Sequence, residues 1–130
     1  MATVTITADN FESTIEKGGI IMLDFWAEWC GPCRAFAPVF DKASEKYPDV
    51  VFGKVDTEDQ QELAAGVEIS AIPTLMLFRD GVLLFRESGA LPPAALDELV
   101  KQAQGLDMEK VKAEIAAHKH EHGPDCDHEH

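Results

Sequence analysis

Apolar and polar positions change period several times along the chain, and each change marks an element. Residues 3–7, TVTIT, alternate β-branched side chains and predict a short strand. Asp9 or Asn10 stands where a helix cap belongs, ahead of a helix to about Lys17 that Gly18-Gly19 stops. Residues 20–26, IIMLDFW, form a nearly continuous apolar run of strand length, the pattern of a central strand covered on both faces. A helix is expected from about Cys33 to Tyr47, with Val39, Phe40 and Ala43 on its apolar face and Pro38 placed to kink it. Residues 50–56 read as a second buried strand, and Asp59 as the cap of a short helix through Ala65 that Gly66 ends. Strands over 74–79 and 82–88 flank an Asp80-Gly81 hairpin turn, and Pro92-Pro93 opens a helix to about Gln104 with Gly105 as its stop.

The resulting order is β-α-β-α-β-α-β-β-α. Its first half requires a parallel crossover and its second half ends in an antiparallel hairpin. The expected fold is therefore α/β, a mixed central sheet with helices on both faces. Beyond Gly105 the pattern shifts. Asp107 can cap a helix over 106–117 in which Met108, Val111 and Ile115 form a narrow apolar stripe. Residues 118–130, HKHEHGPDCDHEH, hold no aliphatic side chain and are expected to be disordered or held only by a ligand. This divides the chain into a domain over 1–105, a short amphipathic helix and a polar tail.

Composition narrows the classes. The chain has 130 residues, enough for one core. A formal charge of −13 argues against a nucleic-acid surface and against anionic membranes. No apolar run is long enough to span a bilayer, and residues 1–10 lack the basic and apolar regions of a leader. Three cysteines are too few for a disulfide-stapled secreted domain. A reducing cytoplasm is the expected setting, and there a CxxC is catalytic or metal-binding.

Cys30-Gly31-Pro32-Cys33 lies at the junction between the strand over 20–26 and the following helix. A thiol there faces the free N–H groups and the positive end of that helix, which stabilise its thiolate. Cys33, one turn further in, is expected to be buried and protonated until needed. Gly31 permits close approach, and Pro32 suits a helix start. A structural zinc or iron–sulfur site would need two further ligands, for which only Cys126 and the tail histidines are present. Asp24 sits among Met22, Leu23, Phe25 and Trp26, where a carboxylate is costly to bury without a task or a partner; Lys54 is the candidate neighbouring cation. Trp29, beside Cys30, offers apolar contact to a protein substrate, whereas Trp26 is expected in the core.

The segment DFWAEWCGPC (24–33) resembles the active-site signature of the thioredoxin family. Pro38, Lys54, Ile72-Pro73-Thr74, the Asp80-Gly81 turn and Gly89-Ala90 follow in the family's order, so the resemblance covers residues 1 to about 105. It implies the thioredoxin fold and a protein-disulfide reductase working through Cys30 and Cys33. Asp24 would be the buried acid accepting the Cys33 proton, and Ile72–Pro73 a cis bond exposing the Ile72 backbone for strand-like pairing with substrate. Gly89-Ala90 would complete an apolar rim with Gly31, Pro32 and Pro73; without the resemblance it reads as a plain strand-to-helix turn. The family further implies an NADPH-dependent flavoprotein, thioredoxin reductase, as electron donor, and no cofactor bound to the chain. Proline at position 32, where related oxidases and isomerases carry histidine, points to a reductant. A monomer is expected, which keeps the rim around Cys30 open.

The tail departs from a minimal member of that family. His118, His120, His122, His128 and His130 surround Cys126, and imidazole with thiolate suits zinc, nickel or copper. No tight zinc-finger spacing is present, so adventitious affinity is the expectation. Two readings stay open: a general protein-disulfide reductase, or a metal-binding or redox-sensing adaptor that uses the domain for docking.

Overall fold

The computed structural model describes residues 2–126, with side chains described through Ala117. Five strands form one sheet of order β1-β3-β2-β4-β5: β1 (Thr3–Thr5), β2 (Ile20–Trp26), β3 (Val51–Asp56), β4 (Thr74–Arg79) and β5 (Val82–Ser88). β1 and β2 both run parallel to β3, while β4 runs antiparallel to β2 and to β5. The helices are α1 (Phe11–Glu16), α2 (Gly31–Lys46), α3 (Gln61–Gly66), α4 (Pro93–Gln104) and α5 (Met108–Cys126). The mixed sheet with flanking helices is the architecture the residue pattern predicts.

Side-chain alternation along β2 divides the core. Met22 joins Phe36 and Phe40 of α2 and Leu96 and Val100 of α4 on one face. Ile21, Leu23 and Phe25 join Phe11 and Ile15 of α1 and Leu63 of α3 on the other. Both faces of β2 are thus covered, which explains its unbroken apolar run. Asp24 falls by the same alternation on the α2 and α4 face, beyond Met22.

The element ends differ from expectation in instructive ways. Asn10 is the N-cap of α1 but makes no side-chain capping bond; its Oδ1 accepts from the Thr7 N–H at 2.7 Å instead. Gln60, not Asp59, precedes α3, because Asp56 Oδ1 draws the Glu58 and Asp59 N–H groups into a local turn. Gly66 lies inside the last turn of α3, and the left-handed residue beyond it is Glu68, at φ 59°. The hairpin follows the expected rule, with Asp80 and Gly81 both at positive φ. At the C-terminal end, Met108 is only 8% exposed, so burial continues past Gly105. The α5 backbone also runs past residue 117, where its end was expected.

Candidate active site

The site is built where β2 hands over to α2. Ala27 follows β2 and is fully buried; Cys30 then takes the N-cap position with extended backbone angles, and Gly31 and Pro32 open the helix. Helices leave their first N–H groups unpaired, and Ser, Thr, Asp or Asn commonly accept from them. Here sulfur does so: the Cys33 N–H points at Cys30 Sγ at 3.2 Å, and Cys30 is identified as the capping side chain. The Cys30 carbonyl in turn accepts from the Arg34 N–H at 3.1 Å. The sulfur therefore occupies the positive end of a 16-residue helix, where negative charge is favoured.

Cys30 and Cys33 are joined as a disulfide, with Cα atoms 5.2 Å apart. Both are almost buried, at 4% and 3% exposure, and pack with Ala27, Trp26 and Ile72. Cys33 is buried as the sequence leads one to expect. Cys30 is buried as well: in the disulfide form it packs with Trp26 and Ile72. Around it Trp29 is 67% exposed, and Gly31 and Pro32 are also exposed.

The loop before β4 supplies the opposite wall. The Ile72–Pro73 peptide bond is cis, and the Ile72 carbonyl oxygen lies 3.9 Å from Cys30 Sγ. Thr74 Oγ1 donates to the Ala71 carbonyl at 2.5 Å, bracing the loop across the proline. Gly89 N–H donates to the Pro73 carbonyl at 2.7 Å, which seats Gly89 and Ala90 beside the loop. Gly89 adopts φ 110°, a region that favours glycine. Pro73 itself is buried, so the accessible wall is Ala71 and the half-buried Ile72. Trp29, Thr57, Ile69, Ala71 and Ile72 line a shallow cleft of about 330 Å³ beside the cysteines.

Behind the cysteines, Asp24 is 1% exposed, and neither carboxylate oxygen has a hydrogen-bond partner among the described residues. Desolvation pushes its pKa up to about 7; Lys54 pulls it down in part, and Asp41 on α2 pushes it up. Lys54 is the residue opposite Asp24 in the β2–β3 register. Its ammonium lies 4.9 Å from the centroid of the Trp26 ring. Trp26, two residues along β2 from Asp24 and on the same face, thus links the Lys54 stem to the cysteine cluster.

The sequence-predicted residues Cys30, Cys33, Trp29, Gly31, Pro32, Ile72, Pro73, Gly89 and Ala90 therefore gather at one end of the sheet, where β2 stops and β4 starts, with Asp24 and Lys54 on the strands behind them. The side chains of His118, His120, His122 and Cys126, and all of His128 and His130, lie outside the described residues, as does the expected tail metal binding. Sequence reasoning missed Ala27, Glu58 and the contact role of Trp26. Glu58 Oε2 accepts from Trp29 Nε1 at 3.1 Å and fixes the exposed indole. A buried alanine and an exposed glutamate carry no pattern that would have singled them out.

The family profile described as Thioredoxin matches residues 2–102. The chain belongs to the thioredoxin family. Its similarity to individual thioredoxins is extensive. A Streptomyces coelicolor protein named "Putative thioredoxin 2" is 52% identical over 115 residues, covering 88% of this chain and 86% of its own. Thioredoxin-1 of Saccharomyces cerevisiae is 41% identical over 103 residues, covering 79% of this chain and 95% of its own. The solved mitochondrial thioredoxin 3 of Saccharomyces cerevisiae, in its oxidized form, superposes with a TM-score of 0.70 at 35% identity, over 77% of this chain and 94% of that one. As in other thioredoxins, the adjacent cysteine pair is a thiol–disulfide exchange centre, and the chain is a protein-disulfide reductase.

Proposed function

We propose that this thioredoxin reduces disulfides of target proteins as a monomer in a reducing compartment such as the cytoplasm, and that a flavoprotein reductase using NADPH regenerates it. The observation that carries the reading is the Cys33 N–H aimed at Cys30 Sγ at the head of α2, with the Ile72 backbone alongside. That donor stabilises a Cys30 thiolate, and an extended target strand has a backbone edge to lie against.

The Cys30 thiolate attacks one sulfur of a target disulfide, forming a mixed disulfide and expelling the other target sulfur as thiolate. Cys33 then loses its proton to the Asp24 carboxylate, directly or through a water. Its thiolate attacks Cys30 Sγ, breaks the mixed disulfide and releases the second target thiolate. The target has gained two electrons, and Cys30–Cys33 is oxidised. An acid whose pKa is about 7 suits the middle step, since it can both take and return a proton near neutrality. No cofactor bound to the chain is needed for any step. The reductase supplies the two electrons that restore the dithiol.

Insulin reduction driven by dithiothreitol tests the reading, with wild type and Cys30→Ser compared with and without stoichiometric zinc. Wild type is expected to be active, the variant inert, and zinc without effect. An inert wild type would overturn the reductase reading. Zinc inhibition that vanishes when residues after 117 are removed would favour the adaptor reading of the tail.

A further inference from the structure

Strand β5 and the glycine that follows it grip the segment that carries Ile72 at both of its ends. At one end the Gly89 N–H holds the Pro73 carbonyl at 2.7 Å. At the other, the exposed Arg86 donates from Nη1 to the Val67 carbonyl at 2.6 Å and from Nη2 to the Glu68 carbonyl at 2.5 Å. Arg86 is opposite Met76 in the β4–β5 register, so its side chain leaves the sheet on the α1 and α3 face and reaches the end of α3 from there.

The gripped turn is one that needs support. Glu68 N–H bonds to the Ala65 carbonyl at 3.0 Å, and Ile69 N–H to the Ala64 carbonyl at 2.9 Å, closing α3 in a Schellman turn. The left-handed position of that turn is normally glycine, yet Glu68 occupies it at φ 59°. The two carbonyls beyond the helix have lost their helical partners, and one planar guanidinium spans both. Val67 and Ile69 anchor the same segment in the core on either side of Glu68. Only Ser70 and Ala71 then separate Ile69 from Ile72, whose carbonyl lies beside Cys30.

We propose that Arg86 is a positioning residue for target recognition: its clasp on Val67 and Glu68 sets where the Ile72 backbone lies relative to Cys30. The inference rests on the reading of Ile72 as the docking edge. A protein target that must pair with that backbone feels a displaced loop, whereas a small disulfide that needs only the Cys30 thiolate does not.

The test compares wild type, Arg86→Met and Arg86→Lys on insulin and on a small aromatic disulfide, dithiobis(nitrobenzoate). Arg86→Met is expected to raise KM for insulin roughly threefold to tenfold with kcat and the cysteine-pair potential unchanged. The small disulfide should react at the wild-type rate. Arg86→Lys should fall between, because an ammonium lacks the planar fork that spans two carbonyls. An unchanged insulin KM, or a parallel fall with both disulfides, would overturn the proposal. Should Arg86→Met not fold, Arg86→Lys decides alone: a raised insulin KM supports the clasp and a wild-type KM overturns it. Wild type inert toward insulin would instead overturn the reductase reading on which the clasp depends.

Discussion

Asp24 and Lys54 face each other across the parallel β2–β3 pair, yet the Lys54 ammonium lies over the Trp26 ring and the Asp24 oxygens have no hydrogen-bond partner among the described residues. Coulombic attraction from Lys54 is therefore present but weaker than the cost of removing the carboxylate from water. The result is an acid that titrates at about 7 in the middle of a sheet.

Stability should fall as pH rises through the range that this acid controls. The unfolded chain loses the proton near 3.8, whereas the folded disulfide form keeps it to about 7. The folded state binds more protons between those values, so its stability is greatest below 3.8 and declines up to about 7. The gap corresponds to roughly 4 kcal/mol. Asp24→Asn, which cannot ionise, should flatten the dependence and be more stable than wild type at pH 8. Urea midpoints of both oxidised proteins from pH 4 to 8 decide this; parallel curves would mean that burial does not raise the Asp24 pKa above its unfolded value.

The same substitution should separate the two chemical steps. Attack by Cys30 needs no base at Asp24, so mixed disulfide should form at the wild-type rate. Its resolution by Cys33 should slow by about 100-fold, the lower end of the range for loss of a general base. In wild type, resolution should also slow as pH falls below about 7, where Asp24 becomes protonated, and in Asp24→Asn that slope should vanish. Rapid acid quenching followed by non-reducing electrophoresis measures both steps. Equal lifetimes of the mixed disulfide would remove Asp24 from the mechanism.

Glu68→Gly should stabilise the fold. The residue sits at φ 59° in the turn that closes α3, and glycine avoids the left-handed penalty of about 1 kcal/mol. Its backbone carbonyl would remain available to Arg86. Thermal unfolding should show a midpoint raised by a few degrees; a lowered midpoint would mean that the Glu68 side chain has a stabilising role of its own.

Gly53→Ala should do the opposite. A Cβ there would sit 2.6 Å from Ile6 Cγ1 and 2.9 Å from Leu23 Cδ2, both in fully packed surroundings. Overpacking of this kind costs about 1–3 kcal/mol. Chemical denaturation checks the loss. Undiminished stability would mean that Ile6 and the short β1 can move aside freely.

Where the folded unit ends can be measured by truncation. Arg79 Nη1 donates to the carbonyls of Ala103, Gln104 and Leu106, and Met108 is nearly buried. A chain ending at residue 117 should match wild type in stability and in insulin reduction. A chain ending at 105 should stay active but lose about 2 kcal/mol, the scale of one buried methionine. Equal stability of the two would place the boundary at Gly105 after all.

Much of this could be read from local pattern. The apolar run over 20–26, the Asp80-Gly81 turn and Pro93 at the head of α4 each express a short-range rule, and each element formed where expected. The CGPC spacing likewise located both reactive sulfurs, because one helical turn brings residues 30 and 33 together whatever surrounds them. Caps were less legible. Asn10 and Asp56 both spend their side-chain oxygens on nearby N–H groups outside the helix they precede, a competition between equivalent donors that sequence does not rank.

By itself, then, the sequence determined the order of elements, the two-faced burial of β2 and the position of the dithiol at a helix start, since all of these follow from periodicity and backbone geometry within a few residues. Tertiary structure decided what lies around that dithiol. It brought Ile72 from 42 residues away to 3.9 Å from Cys30 Sγ, set Lys54 on Trp26 instead of on the Asp24 oxygens, and tied the docking loop to Arg86. Those outcomes depend on which surfaces exclude water from which charges, and only the packed chain settles that.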